Sequence, residues 1–189
     1  MTARNDGARA ISRRAILGGM LATGAAAASP AMAAPSLLTG RGRFRSVRLR
    51  NAHTDEWIRT VYWVEDEYIP EALDAIDHLL RDWRKDAVKP IDPATIDILS
   101  RVHEMLDCEE PFHVISGYRT AQTNAMLRRS GSGVARRSLH SEGRAADLRL
   151  AGRTSAELRD AARRLRVGGV GHYPRSGFIH VDTGRVRYW

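Results

Sequence analysis

Two histidines and an aspartate in the later part of the chain constrain its fold more than any other feature. The stretch Ser138-Leu139-His140-Ser141-Glu142-Gly143-Arg144-Ala145-Ala146-Asp147 reads S-x-H-x-x-G-x-A-x-D, and Phe178-Ile179-His180-Val181-Asp182 reads F-x-H-x-D. Taken singly, each would be an ordinary core or surface residue. Taken together, the imidazoles of His140 and His180 and the carboxylate of Asp147 are a ligand set that suits zinc with an open fourth position. An ion held that way lowers the pKa of a bound water and polarises a carbonyl. For the three to meet, the strand carrying Asp147 must pair beside the one carrying His180, with Gly143 allowing a tight turn after His140. His180 and Asp182, two apart on one strand, then share a face. Asp182 is there either to take a proton from the water or to hydrogen-bond a ligand and orient it.

The preceding sequence predicts the elements that carry this site. Runs at 46–50 and 57–63 are rich in Val, Ile, Tyr and Trp and flank polar turn residues around His53, which predicts a hairpin. A helix begins near Pro70, with Leu73, Ile76, Leu79, Leu80 and Trp83 on one apolar face and His78 off it. A second follows Pro93, capped by Asp92, with Ile96, Leu99, Val102, Met105 and Leu106 in a stripe and His103 beside it. The residues 112–116 form a central strand, and 120–129 a short helix. Strands around 147, at 170–173 and at 178–182 close the sheet, with a helix from Thr154 to Gly168-Gly169 between them. Helices early and strands late give an α+β domain over 44–189, with a small antiparallel sheet flanked by helices.

Ahead of that domain lies an export address. Ser12-Arg13-Arg14-Ala15-Ile16-Leu17 precedes a weakly hydrophobic Ala/Gly run and an A-x-A pattern at Ala31-Met32-Ala33. This predicts a twin-arginine signal over 1–33, a linker over 34–43, and a periplasmic destination. The mature chain has no apolar run long enough for a membrane span. The lone Cys108 excludes an intramolecular disulfide and, beside Glu109-Glu110, reads as a packed thiol. The formal charge of +8 falls to +5 without the first 33 residues, 26 basic against 21 acidic. That suits an anionic partner, but there is no aromatic-interleaved recognition motif for nucleic acid. Arg136, Arg137 and Ser138, just before His140, with Arg128 and Arg129, are candidates to line a groove for carboxylate-bearing peptides, or are solvated loop charges.

The two signature stretches resemble the zinc D-Ala-D-Ala-type peptidases, whose fold is shared with hedgehog signalling domains. Ser116-Gly117-Tyr118-Arg119, Thr123-Asn124-Ala125-Met126-Leu127-Arg128, Gly168-Gly169-Val170-Gly171 and Tyr188-Trp189 narrow the likeness to the murein endopeptidase K (YcbK-like) family. The resemblance covers the chain from about Arg45 onward. It implies zinc ligation by His140, Asp147 and His180, and hydrolysis of the peptide cross-links of peptidoglycan. The bond would join two diaminopimelate residues, or D-Ala and diaminopimelate. It also implies that Arg119 steadies a developing oxyanion; the alternative is an ion pair capping the next helix. Related peptidases often carry Glu or Asp where this chain has Gly177, so the proton falls to Asp182, or to His172, where relatives commonly have Tyr. A peptidoglycan-binding module that keeps the zinc without turnover is the competing expectation.

Overall fold

The computed structural model describes residues 44–130 and 134–189. The export signal and linker expected over 1–43 lie outside the described residues. The hairpin forms from β1 (Phe44–Asn51) and β2 (Trp57–Val64), followed by a two-residue strand β3 (Glu67–Tyr68). Helices α1 (Pro70–Leu79) and α2 (Pro93–Leu106) lead to β4 (Phe112–Ser116), and α3 (Ala121–Arg129) follows. Then come a 3-10 turn (Leu139–Glu142), β5 (Ala145–Leu150), α4 (Ser155–Arg164), β6 (Gly169–Tyr173), β7 (Phe178–Asp182) and β8 (Arg187–Tyr188).

The class is α+β as expected, but the sheet is neither small nor wholly antiparallel. All eight strands form one mixed sheet in the order β3-β2-β1-β4-β5-β7-β6-β8, in which β1 runs parallel to β4 and β6 parallel to β8. The first parallel pair has a physical cause. Strands that pair in parallel need a long crossover, and α1 and α2 together supply it. Strands β3 and β8 have two residues each, too short to leave an alternating pattern in the sequence.

Local sequence explains the helix boundaries. Pro70 and Pro93 occupy first-turn positions, where a missing N–H costs nothing. The side chains of Asp92 and Thr120 accept backbone N–H groups at the starts of α2 and α3, and Thr154 with Glu157 forms a capping box on α4. Helix α1 stops short of Trp83, which stacks on the His53 ring instead of continuing the apolar face. Asp82 explains the break. Its carboxylate is buried and accepts from Thr120, reaching across to the segment that carries Arg119.

Pairing register divides the sheet into two faces. Phe112, Val114, Leu148, Leu150, Ile179, Val181 and Val170 share one face and are almost wholly buried. Helices α2 and α4 pack on that side, with Ile96, Leu99 and Leu158 among the largest buried side chains. Asp147, His180 and Asp182 project from the opposite face. The core therefore fixes the strands from one side and leaves the other for polar chemistry.

Among the described residues no ion pair offsets the buried carboxylate of Asp77. Asp77 of α1 accepts the Ile91 N–H at 2.9 Å, and burial pushes its pKa up to about 6, that N–H opposing and Asp74 reinforcing the rise. The folded state then holds this proton more tightly than the unfolded chain, so stability falls as pH climbs from the ordinary carboxylate range through about 6. Asp77→Asn keeps the acceptor and removes the charge. Urea unfolding should show it more stable than the parent at pH 8 by up to about 2 to 3 kcal/mol, with the difference gone near pH 3.5.

Candidate metal centre

Four neighbouring strands and one short turn build the site. Ser116 pairs with Asp147, Asp147 with His180, and His180 with Gly171, so one row crosses β4, β5, β7 and β6. His140 comes from the 3-10 turn before β5, which ends at Gly143 with φ 72°. A Cβ at Gly143 would stand 2.4 Å from the Pro90 carbonyl oxygen, so the turn needs glycine for its backbone angle and for space. The Arg119 backbone N–H donates to the His140 carbonyl at 3.1 Å and ties that turn to the end of β4.

Both imidazoles are oriented by their outer nitrogens. His140 Nδ1–H donates to the Gly117 carbonyl at 2.7 Å, and His180 Nε2–H donates to Asp182 Oδ2 at 2.8 Å. The inner nitrogens, His140 Nε2 and His180 Nδ1, lie 3.1 Å apart, and Asp147 Oδ1 is 3.2 Å from the first and 2.8 Å from the second. All three residues are buried, and together they are the group of acidic, His or Cys side chains that could hold a metal ion among the described residues.

The donor set fits a metal. In the neutral tautomers that the outer bonds select, three lone pairs converge with no proton among them. Ligands about 2.0 to 2.1 Å from a tetrahedral ion stand roughly 3.3 Å from one another, close to the spacing found here. When no metal is bound, a proton has to serve. Burial works against charge on His180, but hydrogen bonds with Asp147 and Asp182 outweigh it and the net shift is upward. Burial pushes His140 down, so that ring stays neutral. Asp147 is opposed by its own burial, yet the two histidines hold its carboxyl far below the usual carboxylate range.

Two charged residues frame the set. Arg119 is 7% exposed, and its guanidinium donates to Asp147 Oδ2 at 3.3 Å. Burial lowers its pKa while Asp147 opposes the fall. Asp182 is fully buried and accepts from His180, the Gly169 and Gly184 N–H groups and two Arg187 nitrogens. Burial again opposes its charge, but the His180 and Arg187 bonds keep it ionised to well below the ordinary range.

The family model described as peptidoglycan L,D-endopeptidase MepK matches residues 40–189. The peptidoglycan L,D-endopeptidase MepK of Escherichia coli K12 is 41% identical over 173 residues, 92% of this chain and 93% of that protein. The chain belongs to this family. The probable peptidoglycan L,D-endopeptidase MepK of Haemophilus influenzae is 40% identical over 146 residues, 77% of this chain and 78% of that one. Among solved structures, the Serratia marcescens L-Ala D-Glu endopeptidase ChiX aligns with 40% of this chain and 62% of its own at 23% identity, with a TM-score of 0.33, too loose a superposition to bear on the argument.

Other residues singled out from the sequence are distributed differently. His172 is not brought to the site. It pairs with Ile179 rather than His180, and so faces α4, where its ring meets Ser155 Oγ at 3.1 Å and Arg159 at 3.3 Å. Arg136 and Arg137 are exposed on the segment leading into the 3-10 turn. Ser138 is half-buried and serves through its carbonyl, which accepts the Ser141 N–H; its side chain does not cap the turn. His53, His78 and His103 stay away from the metal set, bonding the Ile115 carbonyl, approaching Glu56 and bonding the Glu110 carbonyl respectively. Gly177 has φ 67° in the β6–β7 turn, a backbone demand that accounts for glycine there.

Sequence reasoning met Gly117 and Trp189 only inside the motifs that carry the resemblance, gave them no role at the site, and missed Arg187. A backbone carbonyl leaves no mark in a residue pattern, and only the fold brings Arg187 and Trp189 back to His180.

Metal affinity should depend on pH because the ion must displace the His180 proton. Below the raised pKa of His180, apparent affinity in a competition titration should climb about tenfold per pH unit and then level off. A metal at a hundred times its Kd should also stabilise the fold by about 2.7 kcal/mol, a gain absent in His140→Ala.

Proposed function

We propose that this protein is an exported zinc endopeptidase that hydrolyses peptide cross-links of peptidoglycan in the periplasm. The observation that carries the reading is the convergence of His140 Nε2, Asp147 Oδ1 and His180 Nδ1, mutually 2.8 to 3.2 Å apart, in a chain of the MepK family. Zinc held by these residues would supply Lewis acidity, making a water nucleophilic near neutral pH and polarising the scissile carbonyl. The twin-arginine motif supports export, and the net positive charge suits the carboxylates of peptide stems.

The chain's own residues divide the remaining work. Gly117 and Asp182 fix the tautomers of His140 and His180, leaving the inner nitrogens free to ligate. Arg119 keeps a fixed positive charge against Asp147 and steadies negative charge developing on the substrate carbonyl oxygen. Asp182 acts by positioning. Its lone pairs are committed to His180, Arg187 and two backbone N–H groups, which leaves none for the proton of an attacking water. Arg136 and Arg137, exposed ahead of His140, serve as carboxylate contacts for the stem.

Two measurements test this reading. Digestion of purified sacculi by the purified protein should release uncross-linked muropeptides, stop with a chelator and resume with added zinc. His140→Ala should abolish release, and Arg119→Ala should lower kcat by about 10² to 10³. If neither the parent nor the zinc-reloaded protein releases anything, the chain is a zinc-containing binding module. The commitment of the Asp182 lone pairs is the observation that favours that second reading.

Asp182→Asn separates positioning from base catalysis. A positioning residue should cost about 10- to 100-fold in zinc affinity, with turnover restored at saturating zinc. A general base would leave turnover low however much zinc is added.

A further inference from the structure

Beside His180 the sheet carries an aromatic surface that none of these roles uses. Gly171 opposes His180 on β6, and a Cβ there would fall 2.6 to 2.8 Å from atoms of the Trp189 indole. The absent side chain is what lets the indole lie over this strand. Its ring centroid is 5.3 Å from that of His180, with the planes inclined at 47°.

The indole is held in place. Trp189 Nε1–H donates to the Tyr173 hydroxyl at 3.0 Å, and Tyr173 stacks on Phe178 at 4.6 Å. Tyr173 and Phe178 oppose each other across β6 and β7, on the same face as His180. Backbone bonds between Trp189 and β6, His172 N–H to the Trp189 carbonyl and Trp189 N–H to the Val170 carbonyl, fix the main chain. Arg187 lies over the indole at 4.9 Å while bonding Asp182, so the residue that backs the ligand-orienting carboxylate also supports the aromatic ring. Yet Trp189 is 47% exposed and Tyr173 38%. A large apolar surface kept rigid and partly uncovered next to a metal ligand marks a contact surface rather than core.

The opposite end of the site differs in character. Arg119 follows β4 and its guanidinium stands against Asp147, whereas Trp189 stands beside His180 over β6. A peptide lying across the ligands would thus meet a cation on the Asp147 side and aromatic rings on the His180 side.

We propose that Trp189, held by Tyr173, forms the apolar wall of the substrate cleft. It packs against the long aliphatic chain of a diamino acid in the peptide stem, while the scissile carbonyl lies toward Arg119. The wall sets which side-chain length the site accepts and which way round the peptide lies. This rests on the peptidase reading for the identity of the ligand, but its test needs no turnover.

The probe is a product-like tripeptide, L-Ala-D-Glu-diaminopimelate, titrated calorimetrically into the zinc-loaded parent, Trp189→Ala, Trp189→Phe and Tyr173→Phe. A second peptide carries alanine in place of diaminopimelate. Trp189→Ala should weaken binding of the first peptide about tenfold, and either Phe variant by less than about threefold, with zinc affinity unchanged in all. The alanine peptide should bind the parent about tenfold more weakly than the first, and Trp189→Ala should no longer distinguish the two. Equal affinity of all four proteins for the first peptide overturns the wall, as does a parent that binds neither peptide. A loss of peptide binding that merely tracks a loss of zinc also overturns it, since Trp189 would then act by supporting His180. Sacculus digestion reads the hydrolytic function separately, so an inactive parent that still shows the length discrimination retains the wall and loses only the peptidase.

Discussion

Three lone pairs directed at one point repel one another unless a positive charge stands between them, and the arrangement of His140, Asp147 and His180 follows from that. An isolated cluster of this kind would relax by turning its rings. Here it cannot, because His140 is tied to the Gly117 carbonyl and His180 to Asp182. Each outer acceptor is in turn fixed: Gly117 lies between β4 and the Tyr118 N–H bonded to Leu80, and Asp182 is clasped by Arg187 and two backbone amides. The convergence is thus maintained by bonds one layer out, at groups that never face the metal.

Those outer bonds depend on the unequal faces of the sheet. Apolar side chains on the helix side give β5 and β7 their register, and register alone decides that Asp147 and His180 meet. A slip by one residue would turn both into the core and bring Leu148 and Ile179 to the site. The polar cluster around Asp97, which accepts from Arg45, Tyr62 and Tyr68, performs a related service at the other end, fastening α2 to β1, β2 and the short β3. Buried carboxylates at 82 and 97 each join segments far apart in sequence, the one at 182 ties together groups closer along the chain, and each is satisfied by several donors.

Much of this was legible beforehand, and the limits are instructive. Helix starts at Pro70, Pro93 and Thr154 carry their chemistry in adjacent residues, and alternation marks β4 and β7. The pairing of Asp147 beside His180 could be inferred because the two signature stretches were expected on adjacent strands. What escaped depends on pairings between distant segments: the parallel β1–β4 contact, the two-residue strands, the early end of α1, and the return of Arg187 and Trp189 to the site. His172 illustrates the difference most sharply. Its sequence neighbourhood places it near the closing strands, but only the register with Ile179 reveals that the pleat turns it to the α4 side.

The β6–β7 turn links the two unusual features of this site. Tyr173 and Phe178 stack across its ends, and Gly177 closes it with φ 67°. That left-handed conformation favours glycine without barring a carboxylate, since Asp55, Glu65, Asp66, Asp86 and Asp107 adopt positive φ elsewhere among the described residues. The position has open space around a would-be Cβ, so backbone conformation rather than crowding sets the demand. The turn also seats the hydroxyl that holds Trp189 beside His180. The turn that lacks an acid at 177 is the turn whose ends carry the aromatic wall.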